Sequence, residues 1–387
     1  MYRVGKEELA AVKRVIDAKM FFKANTTIQE TTNAEREMRE KFGSAHVLTM
    51  TSGHAALTSA LIGMGIGPGD QVIVPAYTYI ATAMAVVAAG AIPVIAEVDE
   101  SLTLSPEDFE NKITKYTKAV IPVHIQGFPS DMDRICEIAK KHGIFVLEDA
   151  CQADGASYHG KRLGTIGDAG AFSFNYYKII SCGEGGALLT DNKDIFERAI
   201  IYHDSSAIAF FGKQLEGIET KTFCGQEFRT NEIASAILRE QLLKLDTIIA
   251  DLRANKKYLM DNLAYCAKFI KSNDIEGDLG TTLALSFDSA EKAKSFSEAV
   301  CGADMRPINT GKHIYSNWDA IMNKRGAFHP LMDPFKMEAN LSITPEYTKD
   351  MCPKTLDLLA RTVYISINPD WTEEERESML NSIKAAL

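Results

Sequence analysis

The 387-residue chain contains no Cys-x-x-Cys pair. Its seven cysteines, Cys136, Cys151, Cys182, Cys224, Cys266, Cys301 and Cys352, are dispersed and odd in number. That pattern argues against a disulfide framework or a zinc site and for reduced thiols, and no metal is expected. Long apolar runs are missing as well. The longest, around Ala81 to Ile95, is broken by Gly90 and Pro93 and is too short to span a bilayer. The segment Met1–Glu8 lacks the apolar centre of a secretory leader, so the expectation is a cytoplasmic protein without a membrane partner. Basic residues are in deficit, 42 Lys and Arg against 52 Asp and Glu, for a net charge of −10. This disfavours a nucleic-acid-binding surface but leaves room for local basic pockets. There is no G-x-G-x-x-G fingerprint and no Walker lysine after a small-residue turn, which argues against a nucleotide-binding α/β protein. Internal repeats, low-complexity segments and a flexible linker are absent too.

What is present is an α/β rhythm. Helical periodicity runs over Lys6 to Phe22, and a second helix is expected across Asn33 to Phe42. Apolar strand-like runs follow at Ala45–Thr51, Gln71–Pro75, Ile92–Ala96, Ala119–Val123 and Ile144–Asp149, separated by helical stretches such as Ala55–Met64, Tyr79–Ala89 and Asp131–Lys141. Continuous apolar strands alternating with helices predict a mostly parallel sheet covered on both faces. From Asn231 to about Leu263 the pattern is helical, and Arg306 to Thr344 is irregular and rich in aromatics and histidine. A capping box at Thr372–Glu375 opens the last helix. The length and pattern predict a large domain at 1–250, including the N-terminal helices, and a smaller C-terminal α/β domain at 251–387.

One stretch stands apart, Phe172-Ser173-Phe174-Asn175-Tyr176-Tyr177-Lys178-Ile179-Ile180, ending in Gly183-Glu184-Gly185-Gly186. A lysine among aromatic and aliphatic neighbours is costly unless its charge is removed or used, and desolvation frees its amine for Schiff-base chemistry. The glycines let backbone approach a flat ligand. Pyridoxal 5′-phosphate (PLP) on Lys178 is the expectation, and other stations suit the same ligand. Ser52-Gly53-His54-Ala55 is a small-residue turn into a helix, suited to a phosphate, although Ser-Gly is also an ordinary helix cap. Tyr77-Thr78-Tyr79 follows a strand and offers an aromatic to stack on a ring, or simply a core residue. Asp149 closes an apolar strand, where a carboxylate can keep a pyridine nitrogen protonated or cap the next helix. Gln152 is placed to reach the ring hydroxyl, and Ser173 to donate to phosphate. Arg229 precedes a helix and suits phosphate, substrate or a surface ion pair.

These residues resemble the DegT/DnrJ/EryC1/StrS family of PLP-dependent sugar aminotransferases over nearly the whole chain. The motifs are Ser52–Leu57, Pro75–Tyr79, Pro122–His124, Glu148–Gln152, Gly164–Asp168, Phe172–Lys178 and Gly183–Gly186. The resemblance implies the type I PLP-dependent transferase fold (aspartate aminotransferase-like), with a mostly parallel sheet of the seven-stranded type. It also implies a homodimer with shared active sites. By position, Lys178 is the Schiff-base lysine and Asp149 the partner of the pyridine nitrogen. Gln152 meets the ring hydroxyl, and Tyr79 takes the stacking position. Ser173 and the Gly53–Ala55 backbone hold phosphate. Arg229 falls where the family reaches across from the second subunit. His54 departs from the Thr or Ser usual there, which puts that hydroxyl contact in doubt. Lysine rather than histidine at 178 favours transamination over the family's dehydratase chemistry. L-glutamate is the implied donor, and a keto or aldehydo sugar the acceptor. The Asn309–Trp318 and Gly326–Pro330 segments lean toward the 8-amino-3,8-dideoxy-octulosonate branch. His54, His203, His313 and Tyr315 are candidates for substrate contact, and a hydrogen-bonded structural role is open for each histidine. The alternatives are a PLP-dependent sugar dehydratase or lyase, and a non-catalytic regulatory protein that keeps the fold.

Overall fold

The computed structural model describes residues 3–23, 27–210 and 217–387. Two helices come first, α1 (Lys6–Ala18) and α2 (Glu30–Phe42). Strand and helix then alternate: β1 (His46–Met50), α3 (Gly53–Gly63), β2 (Gln71–Pro75), α4 (Ala81–Ala88), β3 (Ile92–Ala96), α5 (Pro106–Asn111), β4 (Thr117–Val120), α6 (Met132–His142) and β5 (Phe145–Asp149). A small hairpin, β6 (Ser157–Tyr158) with β7 (Lys161–Arg162), precedes β8 (Ala169–Ser173), β9 (Gly186–Thr190) and α7 (Lys193–His203). The long helix α8 (Glu232–Leu263) leads to β10 (Thr282–Ser286) and α9 (Ala290–Cys301). Short helices α10 (Asp319–Met322) and α11 (Glu338–Leu341) lie in the irregular stretch. The chain closes with α12 (Pro353–Ala360), β11 (Thr362–Ser366) and α13 (Glu373–Ala386).

Seven strands form one sheet in the order β1-β9-β8-β5-β4-β2-β3. The pairings β2–β3, β2–β4, β4–β5 and β5–β8 are parallel, whereas β9 runs antiparallel to both β8 and β1. Alternate side chains enter opposite layers, as the pleat demands. Leu48, Val72, Val74, Leu147 and Leu188 pack with α3 and α4, while Val47, Ile73, Val146 and Leu189 pack with α6 and α8. Helix α3 is apolar on nearly every side because it is enclosed between the sheet and α7. Helix α6 is a half-exposed contrast. Asp131 accepts the Arg134 N–H at its start, and Gly143 ends it at φ 66°. The expected capping box at Thr372 and Glu375 is formed.

The expected architecture is therefore the one observed, with differences in detail. The run Ala119–Val123 keeps regular pairing only as far as Val120, because Pro122 has no N–H for a ladder. Strands β9 and β11 were not expected. Together β10 and β11 form a separate antiparallel pair toward the C-terminus, flanked by α9. Among the described residues no helix is long and apolar enough to cross a membrane, and no group of His, Cys, Asp and Glu could hold a metal ion.

Candidate active site

The lysine stretch leaves the sheet at the end of β8 and returns as β9, in a loop closed by its own backbone. The Phe174 N–H donates to the Gly185 carbonyl at 2.8 Å, and the Cys182 N–H and Ser181 hydroxyl both donate to the Phe174 carbonyl at 3.1 Å. Inside this neck, Lys178 N donates to the Asn175 carbonyl at 3.0 Å, and the Asn175 side chain accepts the Tyr177 N–H at 3.0 Å. Ile179 and Ile180 are buried and anchor the loop to the core. The ammonium group of Lys178 makes no hydrogen bond or ion pair among the described residues. Its charge nevertheless acts on Cys151, Asp154 and His313, which places it over the carboxyl end of β5.

That end carries Asp149, which is 4% exposed. Its Oδ2 accepts the Thr82 hydroxyl at 2.7 Å, and its Oδ1 accepts the Cys151 N–H at 3.2 Å. Thr82 is itself linked to Thr78 at 2.7 Å. Thr82 escaped notice in the sequence because it reaches Asp149 across 67 residues. Gln152 turns its Oε1 toward the Gln126 N–H at 3.0 Å, so its amide NH2 is left to donate elsewhere. The neighbouring Glu148 is a structural carboxylate. It accepts the N–H groups of Gly164, Ile166 and Gly167 at 2.6–2.8 Å and faces His124 Nε2 at 3.1 Å. The Pro122–His124 and Gly164–Asp168 motifs thus brace β5 from below. Burial, with the nearby Asp149 charge, pushes the Cys151 thiol well up, so it is no ready nucleophile.

The phosphate-type turn follows the carboxyl end of β1, on the same side of the sheet. Ser52 caps α3, its hydroxyl accepting the Ala55 N–H at 3.1 Å. The N–H groups of Gly53 and His54 have no acceptor among the described residues. A β-carbon on Gly53 would lie 2.9 Å from the Ser173 Cβ and 2.6 Å from the Cys151 sulfur. One on Gly186 would lie 2.3 Å from the Ser52 carbonyl carbon. These two glycines let the turn, Ser173 and the start of β9 meet. Free N–H groups, the positive end of α3 and the Ser173 hydroxyl form a natural anion cradle.

The remaining residues separate. Tyr79 is 41% exposed, its ring 5.5 Å from His313 edge-on, with Lys312 Nζ 5.1 Å above it. The Thr78 and Ile80 N–H groups donate to the His313 and Lys312 carbonyls, so the irregular C-terminal stretch is laced to the Tyr79 turn. His54 contacts the Ala81 carbonyl through Nδ1 at 3.3 Å, and burial lowers its pKa. Tyr315 is fully buried. Its hydroxyl donates to the Lys349 carbonyl at 2.8 Å and accepts the Cys352 N–H at 3.0 Å, a strut already saturated. His203 is buried at the end of α7 with Nδ1 on the Ile200 carbonyl at 2.7 Å, and burial pushes it down to about 3. Arg229 pairs with Asp204 and Glu227 of its own chain and lies 5.0 Å from the Phe22 ring. Its backbone bridges to Met50, just before the Ser52 turn.

Comparison with known proteins bears on this geometry. The DegT/DnrJ/EryC1/StrS aminotransferase family matches residues 3–305. The chain belongs to this family. A Streptomyces venezuelae dTDP-3-amino-3,4,6-trideoxy-alpha-D-glucose transaminase is 40% identical over 240 residues, 62% of this chain. The match spans about 60% of that relative's length. Among solved structures, an aminotransferase from Psychrobacter cryohalolentis is 27% identical with a TM-score of 0.78, covering 99% of this chain and 97% of its own. A GDP-4-keto-6-deoxymannose-3-dehydratase is 22% identical with a TM-score of 0.81, covering 99% and 98%. That second likeness speaks for the fold alone, and the fold by itself does not choose the reaction.

Proposed function

We propose that the protein is a PLP-dependent aminotransferase that moves an amino group from an amino acid to a keto or aldehydo sugar. The observation that carries this reading is that Lys178, Asp149 and the Ser52–Gly53 turn follow the carboxyl ends of β8, β5 and β1 on one side of the sheet, with the Lys178 amine unpaired among the described residues. The transaminase relative from S. venezuelae supports it. The residues fit pyridoxal phosphate: an unengaged amine, a buried carboxylate fixed by two donors, and a glycine-lined cradle with two free N–H groups.

When bound, pyridoxal phosphate supplies an electron sink for charge developing at the donor α-carbon. Gly53 and His54 N–H groups and Ser173 would hold its phosphate. Asp149, fixed by the Thr82 hydroxyl and the Cys151 N–H, would hold a proton on the ring nitrogen. Gln152, whose Oε1 is taken by the Gln126 N–H, would donate its NH2 to the ring hydroxyl, and Tyr79 would stack on the ring. Lys178 would take a proton from the donor Cα as base and return one as acid. We assign the large cofactor-binding domain to 1–250 and the small domain to 251–387, with the boundary inside α8. A homodimer with shared sites, in which Arg229 serves the partner's site, completes the proposal. The setting is the cytoplasm, in keeping with free thiols. L-glutamate is the proposed donor, and the acceptor panel begins with the octulosonate branch.

The test has two stages. Purified protein is loaded with pyridoxal phosphate, reduced with borohydride and mapped by peptide mass. Label on Lys178, and none in Lys178→Ala, is expected. Glutamate and a panel of keto and aldehydo sugars are then supplied, and 2-oxoglutarate is measured. Formation with one acceptor and loss of at least a thousandfold in Lys178→Ala, roughly the scale of acid–base catalysis, is the expected result. No 2-oxoglutarate with any acceptor counts against glutamate-dependent transamination.

A further inference from the structure

The irregular C-terminal stretch brings to the site a cation that no step of the proposed chemistry uses. The Ile80 N–H donates to the Lys312 carbonyl at 3.1 Å, the Thr78 N–H to the His313 carbonyl at 2.9 Å, and the Tyr315 N–H to the Ala76 carbonyl at 3.0 Å. Residues 312–315 are thereby fixed along the turn that carries Tyr79. Lys312 Nζ sits 5.1 Å from the centre of the Tyr79 ring, and the His313 ring meets that ring edge-on at 5.5 Å. The same turn is tied to the carboxyl group of the site. The Thr82 hydroxyl lies 3.1 Å from the Tyr79 carbonyl and 2.7 Å from Asp149 Oδ2. One residue before Thr82, the Ala81 carbonyl faces His54 Nδ1 at 3.3 Å, beside the Ser52–Gly53 turn. A run of direct contacts thus leads from Asp149 through Thr82 and Tyr79 to the Lys312 ammonium.

Lys312 is exposed, and no carboxylate lies within ion-pair reach of it among the described residues. Acids are not scarce, since the chain carries 52 Asp and Glu against 42 Lys and Arg. The groups around Lys312 do not compensate its charge. An aromatic face holds an exposed ammonium by only about 0.5–1 kcal/mol. His313 is half-buried, and burial, with the Lys312 charge, lowers its pKa, so its ring is neutral at pH 7. An ammonium is a compact, strongly hydrated point charge, and one held beside the ring-stacking residue without a counter-ion is suited to an anion that comes and goes. The cofactor phosphate is provided for elsewhere, by the Gly53 and His54 N–H groups and Ser173. An amino-acid donor brings a carboxylate, and so does a sugar acid.

We propose that Lys312 is the carboxylate-binding residue of the substrate site, its ammonium pairing with the carboxylate of the amino donor or of a sugar-acid acceptor. Lys312 acts by binding and orientation and moves no proton. Its backbone is pinned by the Ile80 N–H, so the flexible four-carbon stem alone adjusts to the bound group. The inference rests on the cofactor reading of Lys178 and Asp149.

Wild type, Lys312→Met and Lys312→Arg, each loaded with pyridoxal phosphate, are titrated with two probes that carry no amine. Succinate stands for the donor, and an octulosonate, a keto sugar acid, stands for the acceptor. Dissociation constants are read by calorimetry. Met keeps an apolar stem over Tyr79 and removes the charge. Wild type is expected to bind at least one probe, and Lys312→Met to bind that probe at least about tenfold more weakly, the scale of a lost hydrogen bond to a charged group. Lys312→Arg should recover most of the affinity. A loss for succinate assigns Lys312 to the donor, and a loss for the sugar acid assigns it to the acceptor. Equal affinity of Lys312→Met and wild type for both probes, or no binding of either by wild type, overturns the inference. So does a Lys312→Met protein that no longer retains pyridoxal phosphate, since Lys312 would then serve the cofactor. Borohydride labelling of the wild type separates the two ideas. No label on Lys178 removes both, whereas a labelled Lys178 with unchanged carboxylate binding removes only the role of Lys312.

Discussion

Asp149 shows how one residue's value depends on its donors. A carboxyl group so deeply enclosed needs partners for both oxygens, and the Thr82 hydroxyl and Cys151 N–H supply them. Asp149→Asn keeps the shape and loses the charge. If it anchors a protonated ring nitrogen, kcat should fall by roughly 10²–10³, the usual scale for losing one electrostatic stabiliser, with cofactor absorbance shifted. Thr82→Val removes a hydrogen bond to a carboxyl group, worth about 1.5–3 kcal/mol, so a loss of roughly ten- to a hundredfold is expected and the fold should stand. Steady-state kinetics on the two variants would rank them, and equal activity of Asp149→Asn and wild type would deny Asp149 its role. His203 and Tyr315 make the opposite point. They were singled out by residue type, yet the Tyr315 hydroxyl is committed to two backbone partners, and His203 is closed off in the core with Nδ1 on the Ile200 carbonyl.

At the level of elements, the decisive contacts are close approaches at glycine. Gly186 lets β9 pass beneath the Ser52 turn, and no β-carbon fits there. Gly186→Ala should cost about 1–3 kcal/mol as an overpacked core position and weaken cofactor retention along with stability. Gly143→Ala is the control. It meets nothing within 4 Å but has φ +66°, so it should cost roughly 1–2 kcal/mol and leave cofactor binding alone. Urea unfolding paired with cofactor titration separates the two, and a Gly186→Ala protein that binds cofactor normally would contradict the cradle. The same contrast explains what the sequence revealed. The expected runs Gln71–Pro75 and Ile92–Ala96 coincide with β2 and β3, because strands buried on both faces read as unbroken apolar runs. Strand β9 was hidden behind its glycines, which signal a loop by composition although Gly186 belongs to the sheet. Lys178, Asp149 and the Ser52 turn were legible because each sits at a strand end within a local pattern. Thr82 was not, since its meaning lies in reaching the Asp149 carboxyl across the fold.

For the whole molecule, the question is how the N-terminal helices are held to the body that carries the site. Helix α1 lies on α8 with a small apolar contact of Ala11, Val15 and Ala236, and charge supplies much of the rest. Arg239 of α8 clasps Glu30 and Glu37 of α2. Arg3 spans Asp251 and Asp370, joining the first residues to α8 and the chain's end. Glu8, like Glu30, is deeply enclosed. Its Oε1 accepts Lys244 Nζ at 2.6 Å and Gln241 Nε2 at 2.7 Å, and its Oε2 accepts the Gly5 N–H at 2.8 Å. Burial opposes its charge, but these donors outweigh burial and hold it down to about 2. An unfolded glutamate titrates near about 4.3. Since the folded value is the lower one, the stabilisation is fully present above the unfolded value and is lost as pH falls toward about 2. Glu8→Gln should therefore cost about 1–2 kcal/mol at neutral pH, allowing for solvent around the α1 rim. The gap between wild type and variant should narrow when urea unfolding is repeated near pH 3. A gap that stays constant between the two pH values would mean that Glu8 holds α1 by shape rather than by charge.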